Sequence, residues 1–205
     1  MLSPEEQVAL WRSSAFLQSV GRLNQLLHHG REVAFAGRSN AGKSSTLNRL
    51  CDQRGLARTS RTPGRTQLIN LFSWGEEARL ADLPGYGFAK APETVRRQWA
   101  ALVQGYFEDH SALRGVVVIM DARRPLTPLD RQMVEWSRAG GYPVLCLLNK
   151  ADKLSKGAAG NALQQARKEL KAMGPDLQAE LFSAQTGLNL ERVREQIADW
   201  LLGPA

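Results

Sequence analysis

The sequence has little of several features that would place it in a special structural class. Only 2 of its 205 residues are cysteines, and 3 are histidines without metal-ligand spacing. No apolar run approaches the roughly 18 residues that a membrane-spanning helix requires, so membrane insertion is not expected. No internal repeat, low-complexity segment or Ser-His-Asp arrangement is legible. These absences leave one ordinary globular domain, for which roughly 100–200 residues is the usual length.

The cysteines and the start of the chain both favour a cytoplasmic location. Cys51 and Cys146 lie in apolar periodic segments. A disulfide between them is possible, but reduced thiols in the core are the favoured interpretation. Glu5 and Glu6 precede the first basic residue, Arg12. This order is the reverse of the basic start of a signal peptide, so we expect a cytoplasmic protein.

Positive charge is in excess: 27 Lys and Arg residues against 20 Asp and Glu residues give a formal net charge of +7. The clustered arginines are Arg54, Arg58, Arg61, Arg65, Arg96, Arg97, Arg123 and Arg124. Contacts of such residues with RNA phosphates would weaken steeply with salt. The cluster as a whole favours RNA contact, whereas a solvated basic face is the alternative for any single arginine.

Apolar strands alternate with helical patterns along the chain. Strands are predicted over 32–36, 67–74, 78–82, 115–120, 143–148 and 180–183. Helices are predicted over 5–12, 43–52, 93–109, 127–139, 161–173 and 188–202, and residues 15–20 fit either type. The alternation predicts an α/β fold with a mostly parallel sheet, one antiparallel strand and helices on both faces. Residues 31–205 are predicted to form a single domain, with residues 1–30 as an extension packed on it.

The loop after the first buried strand reads Gly37-Arg38-Ser39-Asn40-Ala41-Gly42-Lys43-Ser44, which is the pattern G-x-x-x-x-G-K-S. The two glycines allow backbone conformations in which successive N–H groups point at phosphate oxygens, at the positive end of a helix. Lys43 would supply charge to the outer phosphates, and Ser44 would offer a hydroxyl to Mg²⁺. A Gly-rich turn that matches by chance is disfavoured by the strand before the loop and the helix after it.

A second loop, Asn149-Lys150-Ala151-Asp152, has the pattern N-K-x-D and follows another buried strand. Asp152 can accept hydrogen bonds from the N1–H and the exocyclic amine of guanine. Adenine has no donor at either place, so this loop selects GTP and disfavours a P-loop kinase. Asn149 can bond the purine N7 and tie the loop to the phosphate loop, and the stem of Lys150 can lie on the base. The N–H groups of Ser183 and Ala184 could reach the guanine O6.

Two segments between these loops predict a magnesium site and a switch. Asp82-Leu83-Pro84-Gly85 has the pattern D-x-x-G, in which Asp82 would hold Mg²⁺ through water and the Gly85 N–H would bond the γ-phosphate. Thr66 is the favoured second Mg²⁺ ligand, and Thr62 is the alternative. The γ-phosphate would order both segments, and hydrolysis would release them.

The residue after D-x-x-G is Tyr86, where many GTPases carry a Gln that orients the attacking water. A phenol cannot readily orient water as an amide does. We therefore expect slow intrinsic turnover that a partner, an ion or another residue accelerates.

Together these motifs resemble the bacterial EngB family (also called YihA or YsxC) of ribosome-assembly GTPases, within the Era-like group. The segments that carry the resemblance are residues 33–45, 62–67, 82–90, 120–123 and 148–153. The resemblance implies a three-layer P-loop GTPase domain that acts late in assembly of the large ribosomal subunit and is needed for normal cell division and septation. It implies the large subunit and its rRNA as partners. We expect a monomer without DNA specificity.

The resemblance also implies roles for individual residues. Thr66 matches the switch threonine that binds Mg²⁺ in the family. Asn40 matches an asparagine found in related GTPases that use K⁺ for hydrolysis, so K⁺ is a further possible cofactor. The predicted catalytic residues are Lys43, Thr66, Gly85 and Asn40, and the predicted Mg²⁺ ligands are Ser44, Thr66 and Asp82. The predicted nucleotide-binding residues are Gly37, Arg38, Ser39, Asn40, Ala41, Gly42, Lys43, Ser44, Gly64, Arg65, Thr66, Gln67, Leu68, Asp82, Leu83, Pro84, Gly85, Asn149, Lys150, Ala151, Asp152, Phe182, Ser183 and Ala184.

Two other functions stay open at this point. One is a GTP-gated module that binds rRNA or a protein and in which hydrolysis is incidental. The other is a scaffold at the division septum that needs no ribosome.

Overall fold

A computed structural model describes residues 3–57, 68–87, 92–108 and 110–203. The strands are β1 (Phe16–Val20), β2 (Arg31–Gly37), β3 (Ile69–Trp74), β4 (Ala78–Asp82), β5 (Leu113–Asp121), β6 (Val144–Asn149) and β7 (Leu177–Leu181). The α-helices are α1 (Pro4–Arg12), α2 (Lys43–Leu50), α3 (Glu93–Glu108), α4 (Pro128–Ala139), α5 (Lys156–Met173) and α6 (Leu190–Leu202).

The strands form one sheet in the order β1-β3-β4-β2-β5-β6-β7. β3 is antiparallel to both of its neighbours, and the pairings from β4 through β2, β5 and β6 to β7 are parallel. β3 therefore runs opposite to the other six strands. The predicted α/β fold with one antiparallel strand is confirmed.

Helices cover both faces of the sheet because successive side chains of its strands point to opposite sides. On β2, Ala34 and Ala36 join one core, and Val33 and Phe35 join the other. The first core packs against α3, α4 and α5, and the second packs against α1, α2 and α6. The central strands are buried on both faces, which is why they read as continuous apolar runs in the sequence.

Residues 3–20 contribute to both the sheet and a core. Residues 15–20 fitted either strand or helix, and of these Phe16–Val20 form β1 at the edge of the sheet and pair with β3. Trp11 of α1 is completely buried and meets Trp74 edge-to-face, with ring centroids 5.6 Å apart. The division of the chain at residue 30 stays a prediction.

The predicted bounds of two elements differ most from those in the structure. The final strand runs over Leu177–Leu181 and not 180–183, because its register pairs Leu177 with Val144 and Leu181 with Leu148. α5 begins at Lys156 and not at 161, because Ser155 caps it by accepting a hydrogen bond from the N–H of Ala158. Glycines at 157 and 160 hide this first turn in the sequence, since glycine is a poor helix former.

In the described part of the chain, no helix is both long and apolar enough to span a membrane. β2, β4, β5, β6 and β7 run in the same direction, so their carboxyl ends meet along one edge of the sheet. Crevices outside this edge are where ligands bind in such folds.

Candidate functional site

Four predicted segments meet at the carboxyl edge of the sheet. The phosphate loop follows β2, the D-x-x-G segment begins at the end of β4, the N-K-x-D loop begins at the end of β6, and residues 182–184 follow β7. The site is therefore built from loops whose positions are set by four parallel strands.

The phosphate loop requires glycine at both ends. Gly42 has φ +100°, and a Cβ there would lie 2.3 Å from Asn149 Nδ2. A Cβ on Gly37 would lie 2.9 Å from the carbonyl oxygen of Ile119 on β5. α2 begins directly after Gly42, so the N–H groups of its first turn face the loop. Free N–H groups at a helix start form a cradle for anions.

Lys43 and Asp82 form an ion pair at the centre of this edge. The Lys43 Nζ donates to Asp82 Oδ1, and both side chains are about one-tenth exposed. Lys43 is the first residue of α2 and Asp82 is the last residue of β4. The pair brings together the cation expected on the outer phosphates and the carboxylate expected near Mg²⁺.

The oxygen donors beside Lys43 fit a hard cation, most of whose ligands come from substrate and water. No group of three or more His, Cys, Asp or Glu side chains among the described residues could hold a metal ion by itself. Mg²⁺ needs no such cage, since one or two protein oxygens and phosphate oxygens suffice for it. The buried carboxylate of Asp82 and the hydroxyl of Ser44, which follows Lys43, are oxygen donors of this kind.

The D-x-x-G segment is bonded to the phosphate loop through the backbone. The Leu83 N–H donates to the Phe35 carbonyl over 2.9 Å, and the Ser39 N–H donates to the Tyr86 carbonyl over 2.8 Å. Trp99 on α3 donates its indole N–H to the Pro84 carbonyl over 3.1 Å. Gly85 is thus held between two residues whose backbone oxygens are already bonded.

The side chain of Tyr86 points into the protein. It is 2% exposed, and its hydroxyl donates to Asp130 Oδ1 on α4 over 2.8 Å. Burial and the neighbouring Asp130 raise the pKa of this phenol well above its usual value. Its ring also lies 5.9 Å from that of Trp99. The phenol is therefore committed to α3 and α4 and is not presented to the nucleotide edge.

Asn149 ties three loops together. Its Nδ2 donates to the Ala41 carbonyl over 2.9 Å, and its Oδ1 accepts from the Ala184 N–H over 3.1 Å. The residue is 2% exposed. The predicted link between the N-K-x-D loop and the phosphate loop is therefore present as a buried hydrogen bond.

Lys150 contacts the phosphate loop and a residue that sequence reasoning did not assign to the site. Its Nζ donates to the Asn40 carbonyl over 2.6 Å and to Asp121 Oδ2 over 3.2 Å. Asp121 also accepts from Arg123 Nε over 2.9 Å and from Nη2 over 2.6 Å. The bonds from Arg123, then those from Lys150, hold the pKa of Asp121 well below its usual value despite partial burial. The sequence feature that could have indicated Asp121 is its position at the end of the apolar strand β5.

Asp152 is held ready as an acceptor. Ser183 Oγ donates to Asp152 Oδ1 over 2.6 Å, and this bond is the main reason that the pKa of Asp152 is lowered. Lys153 Nζ lies 3.3 Å from Oδ2 and lowers the pKa further. The Ala151 N–H donates to the Phe182 carbonyl over 3.1 Å, which joins the loops after β6 and β7. The carboxylate is ionised at neutral pH and keeps acceptor capacity for a ligand.

The remaining predicted site residues fall into two groups. Leu68 lies directly before β3, where its side chain approaches Gly21, and none of its described contacts joins it to the phosphate loop. Gly64, Arg65, Thr66 and Gln67, together with Thr62, lie outside the described residues.

The fold and the assembled loops define a P-loop GTPase domain, and comparison with known proteins agrees. A family model described as "50S ribosome-binding GTPase" matches residues 32–150. The probable GTP-binding protein EngB of Aromatoleum aromaticum is 49% identical over 193 residues, covering 94% of this chain and 89% of that protein.

Solved structures share this fold. The crystal structure of a probable GTP-binding protein EngB has a TM-score of 0.68 and 25% identity, covering 84% of this chain and all of that chain. The structure of Era with MgGDPNP and nucleotides 1506–1542 of 16S ribosomal RNA has a TM-score of 0.63 and 22% identity. That match covers 85% of this chain and 57% of the Era chain.

The chain belongs to the EngB family of GTP-binding proteins. It is a GTPase, and guanine nucleotide is its ligand. The resemblance read from the sequence motifs is confirmed.

Proposed function

We propose that this chain is a Mg²⁺-dependent GTPase switch that acts on the large ribosomal subunit during its assembly. The observation that carries the nucleotide part is the buried side chain of Asn149, which bonds the loops after β2 and β7 at once. Through it, the protein itself holds the base-recognition loop and the phosphate loop at a fixed spacing.

In this proposal the phosphate loop binds the triphosphate with its backbone N–H groups and with Lys43. Ser44, Asp82 and Thr66 would hold Mg²⁺, which supplies charge neutralisation to the outer phosphates when it is bound. Lys43 and Asp82 lie in contact, so the phosphate oxygens that Lys43 would bind and the Mg²⁺ that Asp82 would hold would lie side by side. The Gly85 N–H would bond the γ-phosphate.

Asp152 would select guanine. Its Oδ1 accepts from Ser183, and that bond fixes the plane of the carboxylate. An ionised carboxylate is an acceptor only, so it suits the paired donors of guanine and rejects adenine. The Ala184 N–H, predicted to reach the guanine O6, donates to Asn149 Oδ1 instead, so the Ser183 N–H is the proposed donor to that oxygen.

The substitution Asp152→Asn tests this account. An amide can donate where the carboxylate accepted, so the preference should change from GTP towards xanthosine triphosphate. Competition of both nucleotides against a fluorescent GDP measures the change. Asp176→Asn is the matched control, because Asp176 is exposed and lies at the start of β7, away from the carboxyl edge. A variant at 152 that still prefers GTP would refute the assignment.

K⁺ is proposed as an accessory ion near Asn40. The backbone of Asn40 has φ +66° and its carbonyl accepts from Lys150, while no hydrogen bond within the described ranges engages its side chain. The amide oxygen can thus serve as an ion ligand. Turnover in KCl should exceed turnover in NaCl at equal ionic strength, and equal rates would remove K⁺ from the proposal.

The ribosomal part of the proposal is supported by the family description and by the net charge of +7. The Era structure, in which a protein of the same fold holds an rRNA segment, is consistent with it. The protein should co-sediment with large subunits in the presence of a non-hydrolysable GTP analogue. A smaller fraction of the protein should co-sediment in the presence of GDP. Ribosome stimulation of GTP turnover would favour the switch over a module in which hydrolysis is incidental.

A cytoplasmic location and a role in septation complete the proposal. The location is supported by the buried, unpaired thiols of Cys51 and Cys146, and the role in septation follows from the family resemblance. Depletion of the protein should give filamentous cells together with incomplete large subunits. Filaments with normal subunits would favour the septum scaffold instead.

A further inference from the structure

A basic cavity of about 540 Å³ borders the phosphate loop. Residues 38–41 form one wall, and the loop after β5 together with Lys150 forms the other. Lys43, Ser44, Asp82 and Asp152 do not line it, whereas residues 38–41 and Lys150, which are predicted to bind the nucleotide, do. The cavity therefore borders the predicted nucleotide site, and Arg123 and Arg124 extend it beyond the residues predicted to bind the nucleotide.

Four cationic side chains line this cavity against one carboxylate. The cations are Arg38, Arg123, Arg124 and Lys150, and the carboxylate is Asp121. Asp121 is already bonded by both Arg123 and Lys150. Its charge is thus shared by two cations, and the cavity keeps a net positive charge.

Two of the cations have no counterion in the described ranges. Neither Arg38 nor Arg124 forms an ion pair there. Arg124 is exposed, and it is fixed at the backbone by donation of its N–H to the Asp121 carbonyl over 2.9 Å. A guanidinium presents a planar fork of donors that matches the oxygens of a phosphate. Unpaired arginines around a concave surface are suited to bind a phosphodiester.

We propose that this cavity binds a backbone phosphate of large-subunit rRNA, with Arg124 as the main contact. The proposal rests on the proposed ribosomal function and names the surface that performs it. RNA is favoured over an acidic protein because the family is described as ribosome-binding and the whole chain is basic. A phosphate bound in the cavity would contact Arg38 and Lys150. Lys150 also donates to the Asn40 carbonyl of the phosphate loop. Bound RNA would thus contact the loop that holds the nucleotide.

The test compares Arg124→Gln with Arg124→Lys, using two probes: purified large subunits and protein-free large-subunit rRNA. Arg124→Gln should weaken binding to both probes by roughly three- to tenfold, the size of one net hydrogen bond. It should also reduce the slope of log affinity against log salt by about 0.7–0.9, as expected for one lost phosphate contact. Arg124→Lys keeps the charge and should retain most of the affinity and the slope.

Arg138→Gln is the matched control, since Arg138 is exposed in the last turn of α4, at the far end of that helix. Equal weakening by the variants at 124 and 138 would show an effect of net charge alone and would overturn the cavity assignment. Weakened binding to subunits with unchanged binding to free rRNA would assign the contact to a ribosomal protein and also overturn it. If wild-type protein binds neither probe, the ribosomal function itself fails. If it binds both and Arg124→Gln binds equally well, only the cavity assignment fails.

Discussion

Single side chains of this protein join loops that are distant in sequence. Tyr86 connects the D-x-x-G segment to Asp130 on α4, and Asn149 connects the loops after β2, β6 and β7. Both residues are almost completely buried. A buried polar group that loses its partner pays its full desolvation cost, so substitutions at these positions should have effects larger than one average hydrogen bond.

Replacement of Tyr86 by Phe should destabilise the fold by about 1–3 kcal/mol, because Asp130 Oδ1 would lose its donor inside the core. Asp130 Oδ2 would keep its bonds from the N–H and hydroxyl of Thr127, so α4 should still form. Urea unfolding monitored by tryptophan fluorescence measures the loss.

A double-mutant cycle with Asp130→Asn provides the control for this prediction. If the two residues act through their mutual bond, the cost of the double variant should be clearly less than the sum of the single costs. If the losses in the free energy of unfolding are additive, the hydrogen bond between the two side chains does not contribute to stability.

Sequence patterns predicted the individual residues of the site well where a motif fixes them. The phosphate loop and the N-K-x-D loop have spacings set by the nucleotide itself, so Lys43 and Asp152 could be chosen without a structure. Asp121 could not, because its role arises from the parallel pairing of β5 with β6, which places it beside Asn149. The burial of the Tyr86 phenol likewise depends on α4, which lies more than 40 residues later in the chain.

The elements of the fold differ in how clearly the sequence marks them. β2, β5 and β6 are buried on both faces and were predicted from their apolar runs. β1 lies at the sheet edge, with Phe16 55% exposed and Leu17 47% exposed, so its pattern resembles a helix as much as a strand. α1 is short, and its attachment rests on the contact between Trp11 and Trp74.

Trp11→Ala should therefore cost about 3–5 kcal/mol, as for other large aromatic residues truncated in a core. The loss should appear as a lower urea midpoint with nucleotide affinity retained in the folded protein. Arg12→Ala is the neighbouring control: its ion pair with Asp52 is exposed on both sides and should leave the midpoint unchanged. Similar losses for both variants would mean that α1 does not pack through its indole.

At the scale of the whole molecule, carboxylates with lowered pKa values make the free energy of unfolding depend on pH below neutrality. Burial raises the pKa of Glu32, but hydrogen bonds from His110 and Tyr106 and the charge of Arg79 outweigh it, so the pKa is lowered. The pKa values of Asp121 and Glu169 are also lowered, in each case mainly by a side-chain hydrogen bond. Below the ordinary carboxyl pKa, which is 4.5 for Glu and 3.8 for Asp, the unfolded chain then takes up more protons than the folded one.

The free energy of unfolding should be constant from pH 7 to about pH 5 with respect to these groups and should fall as the pH drops further. Urea midpoints at pH 7, 5, 4 and 3.5 measure this course. Glu169→Gln should reduce the loss below pH 5, because one shifted carboxyl is removed. A midpoint that is the same at pH 3.5 as at pH 7 would contradict the assignment of these shifts.

The hydrogen bond between Tyr86 and Asp130 also bears on any attempt to engineer a faster enzyme. A glutamine placed at position 86 to activate water would leave empty the space that the Tyr86 ring fills. It would also leave the buried carboxylate of Asp130 without its donor at Oδ1. Its gain in rate would be offset by loss of folded protein. Positions 86 and 130 would have to be changed together, and the space beside Trp99 would have to be refilled. A single substitution therefore cannot raise the turnover rate without a loss of stability.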